Sequence, residues 1–184
     1  MIELRDLLED DAERLFLWRR EPEVDRWMCG EPAPTLEAHL VWFDALRRDP
    51  DVRAWIVTLR KQPVGFLTLK GLTGCDRRAE WGWYVGEPEA RGRGVGRAAQ
   101  ALGLDQAFGE LALHKVWADV LADNETALKA QAAAGFRREG YLVEHAFKNG
   151  VWRDVVRLAI LDREWAVRRV EFVSGLARSQ MIAA

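Results

Sequence analysis

The sequence predicts one α/β domain, a mixed sheet flanked by helices, and three observations predict it. β-rich runs alternate along the chain with segments of helical period. Two long β-rich runs near the end flank Asn149-Gly150, the pair that best accommodates the positive φ angles of a tight hairpin turn. Between the strand-like Glu80-Trp81-Gly82-Trp83-Tyr84-Val85 and a helix-like segment lies Arg91-Gly92-Arg93-Gly94-Val95-Gly96-Arg97-Ala98, a glycine-rich turn.

In chain order, Ile2–Leu4 reads as a short first strand and Asp10–Arg20 as a helix that Pro22 ends, because proline has no N–H to donate and crowds the preceding turn. Thr35 is a good N-cap for a helix over Leu36–Arg48, with Leu36, Leu40, Phe43 and Leu46 on one face, His39 and Trp42 beside it, and Pro50 at its exit. Ala54–Leu59 and Val64–Leu69 read as a hairpin turning at Lys61-Gln62-Pro63. The strand Glu80–Val85 follows a polar loop, Thr73–Arg78. After the glycine-rich turn come a helix over Gly96–Leu111, a strand over Lys115–Leu121 and a helix over Glu125–Ala134. Strands at about Arg137–Phe147 and Val151–Leu161 complete residues 1–165. The segment 166–184 places Val167, Val170, Val173 and Ala177 at helical spacing, interrupted by Gly175. It reads as an appended helix covering the core or the partner of a homodimer, or as a frayed tail.

At 184 residues the chain is long enough for one real core. It has no apolar run long enough to span a bilayer, and Glu3, Arg5 and Asp6 so close to Met1 do not suit a signal peptide. A cytoplasmic protein without membrane contact is expected. Net charge is 27 − 29 = −2 with no basic block, which argues against nucleic acid as a partner. Cys29 and Cys75 lack metal-ligand spacing and only three histidines accompany them, so neither a metal nor a disulfide is expected. Most of the nine tryptophans belong in the core, and some suit a cleft where flat rings stack on a ligand.

Strand, glycine turn and helix N-terminus together form a geometry that binds pyrophosphate, since backbone N–H groups and the positive helix end face the anion. An ordinary tight turn is the other reading. The run lacks the Gly-Lys-Ser/Thr ending of a P-loop, and its Gly-x-Gly-x-Gly spacing is not the dinucleotide fingerprint. The arginine-led pattern Arg91, Gly94, Gly96 resembles the acyl-CoA loop of the GNAT superfamily of N-acetyltransferases. Asn124-Glu125-Thr126-Ala127 and Ala134-Gly135-Phe136 resemble that superfamily's next helix and strand. The resemblance implies a sheet whose strands splay around the loop, with the cofactor's pantetheine arm in the gap. It also implies acetyl-CoA as co-substrate, held by Arg91, Gly92, Arg93, Gly94, Val95, Gly96, Arg97 and Asn124, and a thioester carbonyl bound by backbone donors of Tyr84 and Val85.

Amine acetylation needs a neutral amine, a polarised carbonyl and a proton for the departing thiolate. Glu80 is the best-placed carboxylate for the amine, and burial beside Trp81 and Trp83 would raise its pKa toward a useful value. A solvated strand-end charge is the alternative. His39 titrates near neutrality and is a second candidate, against a structural role on its helix. Thr68 could hold the amine or a water, against a satisfied core hydroxyl. Many superfamily members carry a tyrosine seven residues after the asparagine, where it protonates sulfur; here that position is Gln131, on the same helical face as Asn124. Glutamine can hydrogen-bond sulfur but cannot supply a proton. Water, the substrate ammonium or another residue such as Tyr141 must do so.

Three stretches resemble the sugar-nucleotide N-acetyltransferases of pseudaminic-acid biosynthesis. They are Trp18-Arg19 with Pro22-Glu23-Val24 and Trp27-Met28, Leu36-Glu37-Ala38-His39-Leu40 with Trp42-Phe43, and Glu144-His145-Ala146-Phe147-Lys148-Asn149-Gly150 with Asp154. That resemblance implies acetylation of the 4-amino group of a UDP-linked 4-amino-4,6-dideoxy sugar, with Arg19, Met28, His39, Trp42 and Trp83 around the acceptor. Cys29 stands where that subfamily tends to have tyrosine. Ribosomal-protein N-terminal or aminoglycoside acetylation is the same chemistry on another amine, and a non-catalytic acyl-CoA-binding module is a third reading.

Overall fold

The computed structural model describes residues 1–182, with side chains through residue 175. Its elements are β1 (Ile2–Asp6), α1 (Asp11–Arg20), α2 (Pro22–Asp25), α3 (Leu36–Arg48), β2 (Val52–Leu59), β3 (Gln62–Lys70), β4 (Arg78–Val85), α4 (Val95–Asp105), β5 (Lys115–Leu121), α5 (Glu125–Ala134), β6 (Arg137–Lys148), β7 (Val151–Leu161) and α6 (Asp162–Ile182). The seven strands form one sheet in the order β1-β2-β3-β4-β5-β7-β6. Neighbours are antiparallel except β4 and β5, which are parallel and pair only over Arg78↔Lys115, Ala79↔Val116 and Glu80↔Trp117. Beyond those pairs the two strands part, which is the splay that the family resemblance implied.

The turns follow local chemistry. Asn149 and Gly150 adopt φ 51° and 78° between β6 and β7, as the sequence suggested. The first hairpin turns at Arg60 and Lys61 (φ 52° and 66°), not at Lys61-Gln62-Pro63, and Leu59 pairs with Gln62. Pro63 is tolerated inside β3 because the β2–β3 register shifts there, opposite Val57 and Thr58. Thr35 caps α3 by accepting the Ala38 N–H at 3.2 Å. The helix after the glycine turn is α4, shorter than expected; it widens into a π-type turn over Gln106–Glu110.

Two layers of core cover the sheet. On one face, Trp55, Val57, Leu67, Leu69, Trp81 and Val116 pack against α4 and α6; on the other, Ile56 and Phe66 pack against Leu15 and Trp18 of α1 and Phe43 and Leu46 of α3. The buried stripe of α3 is His39, Phe43 and Leu46, while Leu40 is turned outward. The C-terminal segment is helical among the described residues, and the helix runs Asp162–Ile182. It buries Trp165 and Phe172, whereas Val167 and Val170 are exposed. The side chain of Ala177 and residues 183–184 lie outside the described residues. No helix among the described residues is long and apolar enough to cross a membrane.

Candidate active site

The splay opens a cleft of about 1120 Å³ between β4 and β5, extended by the α2–α3 connection and the β6–β7 hairpin. Of the residues singled out in the sequence, Arg19, Met28, His39, Trp42, Thr68, Glu80, Trp83, Tyr84, Val85, Arg91, Asn124 and Gln131 all line it.

The glycine-rich turn leaves α4 with an open N-terminus. Gly92 and Gly94 sit at φ 72° and 76°, the left-handed region that favours glycine. No side chain caps α4, in contrast to α3 and α5. Its first internal bond is Ala98 N–H to the Gly94 carbonyl at 3.0 Å, so the N–H groups of Val95, Gly96 and Arg97 have no intrahelical acceptor. A phosphate is the ligand such an end suits. Gly96 lies against the ring of Trp83, which lines the cleft: a Cβ there would come within 2.9 Å of Trp83 Cζ3.

The side chains of the turn do other work. Arg91 clamps the turn to the end of β4, donating to the carbonyls of Val85 (3.1 Å) and Gly86 (3.1 Å) and to Glu21 (2.7 Å). Val95 is buried in the core. Arg97 turns away, donating to the Phe172 carbonyl at 2.8 Å with its guanidinium over that ring. Arg93 and Gly92 are exposed. What these residues offer an anion is therefore mainly backbone. Asn124 likewise spends its Oδ1 on the Ala127 N–H (3.1 Å) as the cap of α5, leaving its amide N–H₂ toward the cleft.

Backbone alternation identifies the donors on β4. The Arg77 carbonyl accepts from His114 and Lys115 on the β5 side, while the Gly86 N–H donates to Val64 on the β3 side. Peptide groups alternate along a strand, so those of Trp83 and Val85 face the gap and that of Tyr84 faces its β3 partner Phe66. The Val85 N–H thus faces the gap, where the resemblance placed it; the Tyr84 N–H faces β3, and that of Trp83 faces the gap instead. The signal was available in sequence only once the β3–β4 register was known. The Tyr84 ring instead packs edge-on to Trp18 and against Phe66, and burial pushes its phenol well above the ordinary value.

The same alternation corrects two side-chain expectations. Trp81 and Trp83 belong to the α4 face, so they do not bury Glu80, which projects with Gly82 and Tyr84 toward the other face. Trp83 lines the cleft from the α4 face. Glu80 is half-buried across from Lys70. Four carboxylates line the cleft. Glu23 pairs with Arg26, Glu31 with Lys148 and Asp119 with Arg157. Among the described residues, the Glu80 side chain alone of the four makes neither an ion pair nor a hydrogen bond, though its charge, behind Asp119, helps raise the pKa of Arg157.

Several polar atoms in the cleft are shielded from solvent and lack a hydrogen-bond partner among the described residues: His39 Nε2, Thr68 Oγ1, Arg19 Nη1 and Gln131 Oε1. Thr68 is thus not the satisfied core hydroxyl that was its alternative reading. Burial pushes the His39 pKa down; the Ala12 backbone opposes this and the Arg19 charge adds to it, so the ring is neutral near pH 7. His39 also contacts the rings of Trp42 (4.9 Å) and Phe16 (5.5 Å). Tyr141 is no proton donor to this cleft: it is exposed and its hydroxyl donates to Asp154 Oδ2 at 2.6 Å. Asp154 also takes the Glu144 N–H at 2.8 Å, pinning a break in β6 where Glu144 has φ 48°. That break brings His145, which sequence reasoning had quoted only as part of a motif, to the cleft wall. Phe16 adds aromatic surface that was not singled out, and Trp27 and Phe147, quoted within motifs, add more. Burial raises the thiol pKa of Cys29, and no group of three or more metal-ligating side chains occurs among the described residues.

Comparison with known proteins agrees with this geometry. Residues 2–137 match the acetyltransferase (GNAT) domain family. The spermidine N(1)-acetyltransferase of Escherichia coli K12 is 27% identical over 164 residues, 89% of this chain and 88% of that protein. A putative ribosomal N-acetyltransferase of Bacillus subtilis, YdaF, is 32% identical across 89% of this chain and 93% of its own. The crystal structure of spermidine N-acetyltransferase from Vibrio cholerae with CoA and spermine superposes with a TM-score of 0.84 at 27% identity, covering 90% and 98% of the two chains. The narrower sugar-nucleotide resemblance finds less: acetyltransferase PseH of Campylobacter jejuni is 27% identical over 132 residues, 70% of this chain and 80% of that one. A sheet splayed after three residue pairs, an uncapped helix facing the gap and backbone donors on β4 are what an acyl-CoA site requires; the chain belongs to the GNAT acetyltransferase family and is an acetyl-CoA-dependent N-acetyltransferase.

Proposed function

We propose that the acceptor is a primary amine on a ring-shaped body, the 4-amino group of a UDP-linked 4-amino-4,6-dideoxy sugar. The observation that carries this reading is the charge state of the cleft: one uncommitted carboxylate, Glu80, among Phe16, Trp27, Trp42 and Phe147. One carboxylate matches one ammonium. A polyamine would bring several charges to acids that are already neutralised, while aromatic faces suit the apolar side and methyl group of a deoxy sugar. Arg19, on the cleft wall, supplies positive charge for a dianionic nucleotide.

In this reading Glu80 receives the ammonium and takes its proton. An amine beside electron-withdrawing oxygens is less basic than lysine, whose reference pKa is about 10.4, so a moderate base suffices. The N–H groups of Trp83 and Val85 polarise the thioester carbonyl. Gln131 hydrogen-bonds the sulfur, and the proton released by the amine or carried by water neutralises the thiolate.

A second reading is favoured by the relatives named for spermidine: a polyamine acceptor. Initial rates with acetyl-CoA and, in turn, the UDP-amino sugar, spermidine and a peptide with a free N-terminus separate the readings. The sugar nucleotide is expected to give the highest kcat/KM, lowered by Glu80→Gln without being abolished. Preference for spermidine or the peptide overturns the sugar reading.

A further inference from the structure

On the acceptor side of the cleft, two cations compete for one oxygen. Lys148 Nζ lies 2.7 Å from Asp25 Oδ1, and Arg19 Nη1 lies 3.7 Å from the same atom. Lys148 wins because its position is fixed. Its side chain is 0% exposed, and its ammonium also donates to the Gly30 carbonyl (3.2 Å) and Glu31 (3.4 Å). Glu31 in turn accepts the Asn149 N–H at 3.1 Å, so the hairpin and the α2–α3 connection are joined through this lysine. Arg19 is held by its other nitrogen, which donates to the same Gly30 carbonyl at 3.1 Å. Nη1 is left shielded from solvent, without a hydrogen bond among the described residues, on the wall of the cleft. An unsatisfied buried donor is costly unless a ligand uses it.

We propose that Arg19 Nη1 is the subsite for an oxygen atom of the acceptor near its amine, and that Lys148 is the positioning residue that keeps this donor free by holding Asp25. The inference rests on the acceptor reading above and narrows it: the acceptor carries a hydroxyl, carbonyl or phosphate oxygen there, which a polyamine lacks. A buried ammonium at the tip of a hairpin, where an apolar residue would stabilise the loop as well, then has a reason to be present. Without it, Asp25 closes onto Arg19 and quenches the donor.

The test uses Lys148→Met, the double variant Lys148→Met/Asp25→Asn, Asp25→Asn alone and Arg19→Ala, with CoA affinity as the check on folding. With the UDP-amino sugar as probe, Lys148→Met and Arg19→Ala raise KM roughly ten- to hundredfold, the worth of one hydrogen bond to a charged group, with kcat little changed. The double variant returns KM close to wild type, because Arg19 is free again; a lysine that merely braced the loop would leave the double variant as poor as the single. Asp25→Asn alone keeps KM near wild type, which decides the matter should Lys148→Met fail to fold. An independent readout needs no acceptor. Nuclear magnetic resonance titration of the His39 ring reports the Arg19 charge: its pKa rises in Lys148→Met and falls back in the double variant. That pattern upholds the positioning role of Lys148 even if spermidine proves the better substrate, in which case the oxygen subsite falls with the sugar reading. A His39 pKa unmoved by Lys148→Met, or a double variant no better than the single, overturns the proposal.

Discussion

Replacing Gly94 tests whether the cofactor's phosphates are held by backbone. A Cβ at this position meets nothing within 4 Å, so no side-chain clash complicates the change. The whole perturbation lies in φ, which is 76°. Holding an L-residue there costs about 1–2 kcal/mol, and a β-branched residue is worse placed still. Gly92 is exposed and a Cβ there also meets open space, so few contacts resist a relaxation of the turn. Relaxation re-aims the N–H groups of Val95 and Gly96. Losing one amide–phosphate bond is worth about 1.5–3 kcal/mol, which is roughly ten- to hundredfold in Kd. Calorimetry with CoA should therefore show Gly94→Val at least about tenfold weaker than wild type. Melting temperature should fall only by about 2–8 °C, from the strain alone. Arg93→Ala removes an exposed charge and should stay within about fivefold. Equal affinity for wild type and Gly94→Val, or a larger loss in Arg93→Ala, would refute backbone binding.

Two further outcomes follow from the site. Gln131→Ala removes a neutral hydrogen-bonding group and not an acid, so kcat should fall only by the equivalent of about 0.5–1.5 kcal/mol; a thousandfold loss in a folded variant would mean that Gln131 does more than steady the sulfur. His39 has its pKa lowered by burial, so the unfolded chain takes up its proton at higher pH than the folded one. Its contribution to stability is complete above the unfolded value of about 6.5 and is lost as pH falls through the folded value. Urea midpoints should thus drop more steeply below that pH for wild type than for His39→Phe, and parallel curves would contradict the assignment.

The fold was largely legible because its punctuation is chemical. Thr35 and Asn124 cap the helices that follow them, and Asn149-Gly150 turns the last hairpin, since each residue type satisfies a local backbone demand that no distant contact can override. Pro63 misled: it suggested a turn where the register shift between β2 and β3 leaves room for a proline within a strand. The valines of α6 misled in another way. Helical spacing is clear in the sequence, but which stripe is buried depends on what lies opposite, and Trp165 and Phe172 take that place. At the site, identity of residues was readable and direction was not. The N–H of Trp83 and not that of Tyr84 faces the gap, because one step along a strand reverses both the peptide and the side chain. The Lys148–Asp25 pair joins residues 123 positions apart, and no local pattern announces it.

The early parting of β4 from β5 gives the sheet a seam. On one side stand β1 to β4, on the other β5, β7 and β6, and across the seam the strands share only three residue pairs. Each block is stitched internally along long antiparallel ladders, so bending concentrates where they meet. A molecule laid in the seam and bonded to the peptide edges on either bank acts as mortar, making one beam of two. Occupancy should then be felt far from the phosphates, as slower amide hydrogen exchange at Trp83 and Val85 and as a higher unfolding temperature that grows with ligand concentration. In mechanical terms, the occupied seam should be the stiffer one, and release of the spent carrier should return the exchange rates at these two amides to those of the empty protein.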